Sequence, residues 1–186
     1  MLIHALALLG CTPNTADSGT LDTVNTADTD TPTADSGAEA PTIVINEFMA
    51  VNQSTITDDG GSYSDWIELY NPTDAIVSLA GVYLTDEDDE PRQFALPQDQ
   101  VITPGGYTLF WADAQPTQGE DHTTFKLSGT GEYVGLFFVA DGRSPEEIDA
   151  VEFGAQTADV SRARIPDGAL AWESAASPTP GATNGE

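Results

Sequence analysis

Basic residues, histidine and cysteine are all scarce in this sequence. Its 186 residues include one cysteine, two histidines and five lysines or arginines, against 31 aspartates and glutamates, so the formal net charge is −26. A single cysteine cannot form a disulfide within the chain, and no zinc site of the Cys/His type can be assembled. The negative charge repels phosphate backbones, so we predict that nucleic acid is not a partner.

Long apolar runs and familiar catalytic motifs are absent as well. No apolar run reaches the roughly 18 residues of a transmembrane helix, and no segment keeps the helical period of about 3.6 residues. There is no P-loop, no dinucleotide fingerprint and no Gly-x-Ser-x-Gly motif. A hydrolase would need His122 beside a serine and an aspartate, and a glycosidase would need a carboxylate pair such as Glu47 and Glu68. No motif selects either arrangement, so we predict that the chain is not an enzyme.

The one cysteine, Cys11, follows a short apolar segment. Residues 1–10 have the sequence MLIHALALLG, which is about as long as the apolar core of a signal peptide and about half as long as a membrane span. The sequence LLGC at residues 8–11 resembles the lipobox of bacterial lipoproteins, in which a small residue precedes the cysteine that is lipidated. The positive charge that usually begins a signal peptide has only His4 as a candidate here.

The lipobox resemblance implies a lipid-anchored protein of the bacterial cell envelope, at the outer membrane or the cell surface. Cleavage after residue 10 would make Cys11 the first residue of the mature chain. Its acyl chains would bind a membrane stably, because each buried CH₂ group contributes about 0.8 kcal/mol. The alternative is a buried, unmodified cysteine, which is disfavoured because the polar segment that follows offers no core to join.

Residues 11–41 differ in composition from the rest of the chain. The tripeptide Thr-Ala-Asp occurs three times in this segment, which contains six acidic residues and no basic or aromatic residue. Such a segment cannot bury enough apolar surface to offset the entropy cost of ordering the chain. We therefore predict a disordered acidic tether with a reach of about 30 Å. It would connect a cleaved signal peptide, residues 1–10, to a folded domain, residues 42–186.

From residue 42 onward, short runs typical of strands alternate with turn signals about every eight to twelve positions. Alternation places Ile43, Ile45 and Glu47 on one face of the first run. Asn46 and Asn71 lie at predicted strand ends, where a side-chain amide can bond the backbone of a turn. The predicted strands lie at residues 42–50, 65–71, 77–85, 92–96, 106–112, 124–128, 133–139, 147–153 and 161–165. This pattern predicts one all-β domain, an antiparallel β-sandwich.

Several motifs in the predicted domain resemble the lamin tail domain in its bacterial form. In chain order they are VINEFMA, SDWIELYNP, LAGVYLTD, ITPGGYTLFWAD, KLSGTGEYVGLFFVADG, IDAVEFG and SPTPGATN. The resemblance covers nearly all of residues 42–184 and implies an immunoglobulin-like β-sandwich with no catalytic activity of its own. Bacterial members of this family occur on secreted hydrolases and nucleases, or alone on surface lipoproteins, and are generally taken as adhesion or scaffolding modules.

Two kinds of binding site are consistent with the predicted domain. Acidic loops supply the hard oxygen ligands that calcium prefers, although they lack the pattern of an EF-hand, and solvated loops are the alternative. The candidate calcium ligands are Asp58, Asp59, Asp65, Asp86 and Asp88. An exposed aromatic patch would suit a protein or glycan partner. The candidates for this surface are Trp66, Tyr70, Trp111 and Trp172.

Together these patterns predict a lipid-anchored, non-catalytic module for binding, adhesion or scaffolding. Two alternatives stay open. One is a passive, salt-adapted surface protein without a specific ligand, for which the net charge of −26 would be sufficient explanation. The other is an accessory domain of an extracellular hydrolase system.

Overall fold

Strands build the part of the chain that the computed structural model describes, residues 39–185. They are β1 (Val44–Met49), β2 (Trp66–Tyr70), β3 (Val77–Ser78), β4 (Val82–Thr85), β5 (Phe94–Ala95), β6 (Val101–Ile102), β7 (Tyr107–Trp111), β8 (Glu132–Phe138), β9 (Glu146–Phe153), β10 (Ser161–Arg164) and β11 (Trp172–Ala175). Within residues 39–185 no helix is long and apolar enough to cross a membrane. The predicted signal peptide, Cys11 and the tether up to residue 38 lie outside the described residues.

The strands form two sheets and a small ribbon. One sheet has five strands in the order β11-β10-β1-β2-β7, the other has four in the order β5-β4-β8-β9, and β3 pairs with β6. Every strand pair is antiparallel. Ile45, Ile67 and Phe110 from the first sheet share one buried core with Leu84 and Leu136 from the second. The predicted all-β, immunoglobulin-like sandwich is confirmed.

Some strand boundaries differ from the prediction. The predicted strand 77–85 is divided into β3 and β4 by a turn in which Gly81 has a φ of +76°, a backbone conformation that glycine adopts easily. The predicted strand 124–128 forms only one isolated bridge, from Lys126 to Asp113. β6 and β11, with two and four residues, lie outside the predicted strands.

A β-bulge in β1 reverses the expected orientation of its second half. Ile45 pairs with Leu69, but Glu47 pairs with Glu68, so Asn46 is an extra residue without a partner in the ladder. One extra residue changes the alternation of side chains. Ile45 therefore faces the core while Glu47 lies on the opposite face, and the expectation that the two share a face is wrong.

The two asparagines with predicted turn-bracing roles behave differently. The side-chain amide of Asn71 donates to the backbone carbonyls of Ala75, Ile102 and Thr103 at 2.7, 3.0 and 3.1 Å. Its predicted role in holding a turn is confirmed. Asn46 lies inside β1 at the bulge and not at a strand end; its amide nitrogen donates to the Glu68 carboxylate at 3.0 Å, and its Oδ1 accepts the N–H of Gly168, in the turn after β10, at 3.0 Å.

Arg164 on β10 and Asp149 on β9 connect the two sheets along one edge. Nη2 of Arg164 donates to both carboxylate oxygens of Asp149, at 2.8 and 2.9 Å. Nε of Arg164 donates to the carbonyl of Ile45 at 2.7 Å, and the N–H of Ile45 donates to Asp149 at 2.9 Å. The same backbone position on β1 is therefore held by both members of the ion pair, which closes the sandwich where β9 meets β1.

Candidate functional site

Two glutamates lie side by side on the face of the five-stranded sheet that points away from the core. Glu47 on β1 and Glu68 on β2 are directly opposite each other, and neither has any exposed area. We call them the carboxylate pair. These are the two residues that the sequence offers to a glycosidase.

The C-terminal segment, residues 177–185, covers the carboxylate pair. The N–H of Thr179 donates to the carboxylate of Glu47 at 3.2 Å, and the N–H of Gly181 donates to Oε2 of Glu68 at 2.6 Å. A carboxyl oxygen accepts these backbone hydrogen bonds whether or not its group is ionised. The two carboxylates therefore anchor the end of the chain to the sheet.

Further hydrogen bonds to the carboxylate pair come from the hydroxyl of Thr179 and from the sheet and its loops. The hydroxyl of Ser161 donates to Glu47, and the amide of Asn46 donates to both Glu68 and Asp167, at 3.0 and 2.9 Å. Among residues 39–185, neither glutamate forms an ion pair with a basic side chain. The pair is thus satisfied by neutral donors alone.

Burial without a basic partner changes the ionisation of the pair. Burial raises the pKa of Glu68 to about 7, even though hydrogen bonds from Asn46 and Gly181 lower it, and the charges of Glu47 and Asp167 raise it further. Burial also raises the pKa of Glu47. A raised pKa suits a general acid, but a substrate cannot reach either carboxylate beneath the C-terminal segment. The geometry assigns the pair a structural role.

A second buried polar group surrounds His122. Asp58 and Ser64 lie in the loop between β1 and β2, and Asp113 lies just after β7. His122 returns to the same place because its segment forms a parallel bridge with Trp111. We call Asp58, Ser64, Asp113 and His122 the Asp–His cluster.

The Asp–His cluster contains the residue types of a serine hydrolase in the wrong arrangement. Nδ1 of His122 lies 2.8 Å from Oδ2 of Asp113, as in a catalytic dyad. The hydroxyl of Ser64, however, lies 2.9 Å from Asp58 and 3.2 Å from Asp113, and forms no hydrogen bond with His122 among the described residues. Catalysis needs the serine hydroxyl on the imidazole. These four residues are also at most 8% exposed, so they form no triad open to a substrate.

The hydrogen bonds of the cluster keep Asp58 ionised. Burial raises the pKa of Asp58, but hydrogen bonds from the backbone of Ser62, the hydroxyl of Ser64 and the backbone of Gly60 lower it by more in total. The charge of His122 acts in the same direction as these bonds. Two carboxylates and an imidazole in one buried place are ligands that can coordinate a divalent metal ion.

The structure does not gather the predicted calcium ligands into one group. Only Asp58 belongs to a close group of three ligating side chains, and its companions are Asp113 and His122. Asp59 and Asp88 are exposed. Calcium binding by the predicted set stays a prediction.

Trp66 and Trp111 are wrong as candidates for a binding surface. Trp66 has no exposed area and Trp111 is 8% exposed. Together with Met49 they form a small apolar cluster on the outer face of the five-stranded sheet, against which Ile56 of the β1–β2 loop packs. The loop covers these rings, so they stabilise the domain and cannot contact a partner.

Tyr70 and Trp172 are half-buried and engaged by neighbouring side chains. The ring of Tyr70 stacks on that of Tyr107 at a centroid distance of 5.0 Å. The guanidinium of Arg164 lies 4.6 Å from the centre of the Trp172 ring. A role for either ring in binding a partner stays a prediction.

Sequence reasoning missed Ser64, Asp113 and the role of the C-terminal segment. Asp113 follows β7 directly, yet no local pattern links it to His122 or to residues in the β1–β2 loop. The parallel bridge between Trp111 and His122 brings them together, and it depends on pairing across a loop. The motif SPTPGATN is visible in the sequence, but its contact with the carboxylate pair is not.

Comparison with known families agrees with this architecture. The sequence model of the lamin tail domain family matches residues 36–155, which is more than half of the chain. A search of curated proteins finds no match. The matched residues include the bulge in β1, the carboxylate pair and the Asp–His cluster. The chain therefore belongs to the lamin tail domain family, whose fold is an immunoglobulin-like sandwich.

Proposed function

We propose that the chain is a lipid-anchored, non-catalytic module that is displayed on the bacterial cell envelope and binds a protein partner. Cys11 would attach it to the outer membrane or cell surface, and residues 12–38 would hold the sandwich away from that surface, since Ala40 already packs against the core. The non-catalytic part of this proposal rests on one observation: neither candidate catalytic group has the arrangement that catalysis requires. The carboxylate pair lies under the C-terminal segment, and the Asp–His cluster lacks a serine on its imidazole.

The lipid anchor is tested by replacing Cys11 with serine in the full chain. We expect the unchanged chain to fractionate with membranes and Cys11→Ser to be released, because serine cannot accept the thioether-linked lipid that holds the chain. Cell fractionation, together with mass spectrometry of the N-terminal peptide, measures this. Thr12→Ala is the control, since it leaves the cysteine intact. A free thiol at Cys11 in the unchanged chain, or a membrane-bound serine variant, would contradict the anchor.

The exposed apolar surface favours a protein as the partner. Ile76 is 66% and Val101 is 50% exposed. In the β3–β6 ribbon Ser78 pairs with Val101, and Ile76 lies immediately before β3, so both exposed side chains belong to this part of the surface. Aliphatic side chains of this kind contribute to protein contacts. The large exposed aromatic ring among the described residues, Tyr63 at 50%, lies in the β1–β2 loop and not beside the ribbon.

The binding role is tested with the soluble Cys11→Ser chain, fluorescently labelled and added to intact cells of its own species. We expect saturable binding that Ile76→Asp and Val101→Asp reduce at least about tenfold, since a charge at an apolar contact costs several kcal/mol. Leu170→Asp is the matched control, because Leu170 is 94% exposed and lies outside the ribbon. Protease treatment of the cells should abolish binding, whereas periodate treatment should not. Absence of saturable binding would favour the passive surface protein.

A further inference from the structure

Asp58, Asp113 and His122 form the one group of three potential metal ligands in residues 39–185. Each offers a ligand atom, and the three atoms all lie within 4.8 Å of one another. The three residues are 4%, 5% and 3% exposed. They come from separate parts of the chain and converge in one buried place.

The group buries two carboxylates beside a single basic side chain, although each carboxylate oxygen has a hydrogen-bond partner. The hydroxyl of Ser64 faces carboxylate oxygens of both Asp58 and Asp113, at 2.9 and 3.2 Å. A hydroxyl has one proton and can donate to only one of them. A single imidazole therefore faces two buried carboxylates, and burying such an excess of charge is costly unless a cation offsets it.

The backbone holds each of the three side chains in place before any ion binds. Asp58 closes a turn in which its carboxylate accepts the N–H of Ser62 at 2.9 Å. Asp113 accepts the N–H of Gln115 at 3.0 Å. The bridge to Trp111 positions the backbone of His122, and its ring is oriented by the 2.8 Å contact between Nδ1 and Oδ2 of Asp113. Ligands held in advance lose little freedom when an ion binds.

We propose that Asp58, Asp113 and His122 bind one zinc ion. Two carboxylates and one imidazole are ligands that zinc accepts, whereas calcium takes six to eight oxygen ligands and does not favour nitrogen. Zinc bonds of about 2.0–2.2 Å place tetrahedral ligand atoms about 3.4 Å apart. Nδ1 of His122 and Oδ2 of Asp113 lie 2.8 Å apart, and all three ligand atoms lie within 4.8 Å of one another, so small side-chain movements would reach this spacing. Water or the hydroxyl of Ser64 would occupy the fourth coordination position of the zinc ion.

The zinc site differs from the calcium site that the sequence predicts. It shares only Asp58 with that set, and it adds a nitrogen ligand. It is independent of the proposed surface role, because neither the anchor at Cys11 nor the β3–β6 ribbon contributes to it.

Zinc chloride titrated into the full Cys11→Ser chain tests the site, since that variant removes the only thiol. We expect one zinc ion bound per chain and a rise in the thermal midpoint that calcium and magnesium do not produce. Asp58→Asn and His122→Gln should each weaken zinc binding by more than the roughly 10–100-fold that loss of an outer hydrogen bond costs. Asp59→Asn, an exposed neighbour in the same loop, is the matched control and should bind as before.

Cobalt substitution keeps the test informative if a ligand variant fails to fold. The unmutated cluster loaded with cobalt should show the visible absorption of a tetrahedral site with nitrogen and oxygen ligands. Three results would overturn the proposal: no zinc bound, binding that Asp58→Asn and His122→Gln leave unchanged, or an equal response to calcium. The first of these would identify the cluster as a hydrogen-bonded Asp–His pair alone.

Discussion

Replacing Arg164 with methionine should lower the free energy of unfolding by about 3–5 kcal/mol. The variant leaves Asp149 as a largely buried carboxylate without its cation, since the side chains of Arg164 and Asp149 are only 6% and 15% exposed. Burial already raises the pKa of Asp149, and the charge of Arg164 counteracts that rise. The carbonyls of Ile45 and Ala169 also lose their donor. Urea denaturation at neutral pH measures the loss.

Arg162 provides the matched control for this substitution. It lies on the same strand and donates to the hydroxyl of Ser174 and the carbonyl of Trp172 at 3.0 and 3.1 Å, but it forms no ion pair among the described residues. Arg162→Met should cost about 1 kcal/mol. Adding Asp149→Asn to the Arg164 variant should restore part of the stability, because it removes the unpaired charge. Equal losses for the two arginines would contradict the proposed closure of the sandwich.

The stability of the unchanged domain should fall as the pH rises from about 4.5 to about 7, with a contribution from Glu68 of about 3 kcal/mol. Burial raises the pKa of Glu68 from 4.5 to about 7. Between these values the folded state keeps a proton that the unfolded chain has released. The contribution is therefore fully present below about pH 4.5, is lost as the pH rises through about 7, and changes little above that.

Glu68→Gln isolates this contribution. The variant cannot ionise at this position, so its unfolding free energy should depend less on pH across the same window. Some dependence should remain, because burial also raises the pKa of Glu47. Glu152→Gln, an exposed change on β9, should keep the slope of the unchanged domain. Urea denaturation at several pH values between about 4 and 8 measures the slopes. An unaltered slope in Glu68→Gln would show that the pair does not titrate as its burial implies.

The folded domain extends beyond the residues that match the family. The match ends at residue 155, yet β10 follows it and pairs with β1 inside the five-stranded sheet. Arg164 closes the sandwich from that strand, and residues 177–185 cover the carboxylate pair. Truncation at the end of the match would therefore remove one of the two strands that pair with β1 and uncover two buried acids.

The β1 strand illustrates how far the sequence pattern reaches. Its apolar residues predict a buried strand, and the structure has one. The pattern also predicts that Glu47 lies on the same face as Ile45, which would place a carboxylate in the core. The bulge at Asn46 removes this conflict, but a bulge depends on the pairing with β2 and has no signal within β1 itself.

The Asp–His cluster shows how much of a functional site can be predicted from the sequence. His122 is conspicuous in the sequence because only one other histidine exists, and its need for a serine and an aspartate can be stated in advance. The structure supplies both residues, but Ser64 contacts the carboxylates and not the imidazole. Which of these side chains hydrogen-bond to one another depends on positions that differ by only a few ångströms. The residue types alone do not determine those positions.

By itself the sequence determined the architecture of this protein: strand-length apolar runs broken by turn residues predict a β-sandwich, and the family motifs make it immunoglobulin-like. It did so because alternation and turn chemistry are local properties of the chain. Only the tertiary structure decided that Trp66 and Trp111 are buried, that Glu47 and Glu68 anchor the C-terminal segment, and that Asp58, Asp113 and His122 meet. Each of these depends on contacts between residues far apart in sequence, where packing and desolvation, rather than local preference, set the outcome.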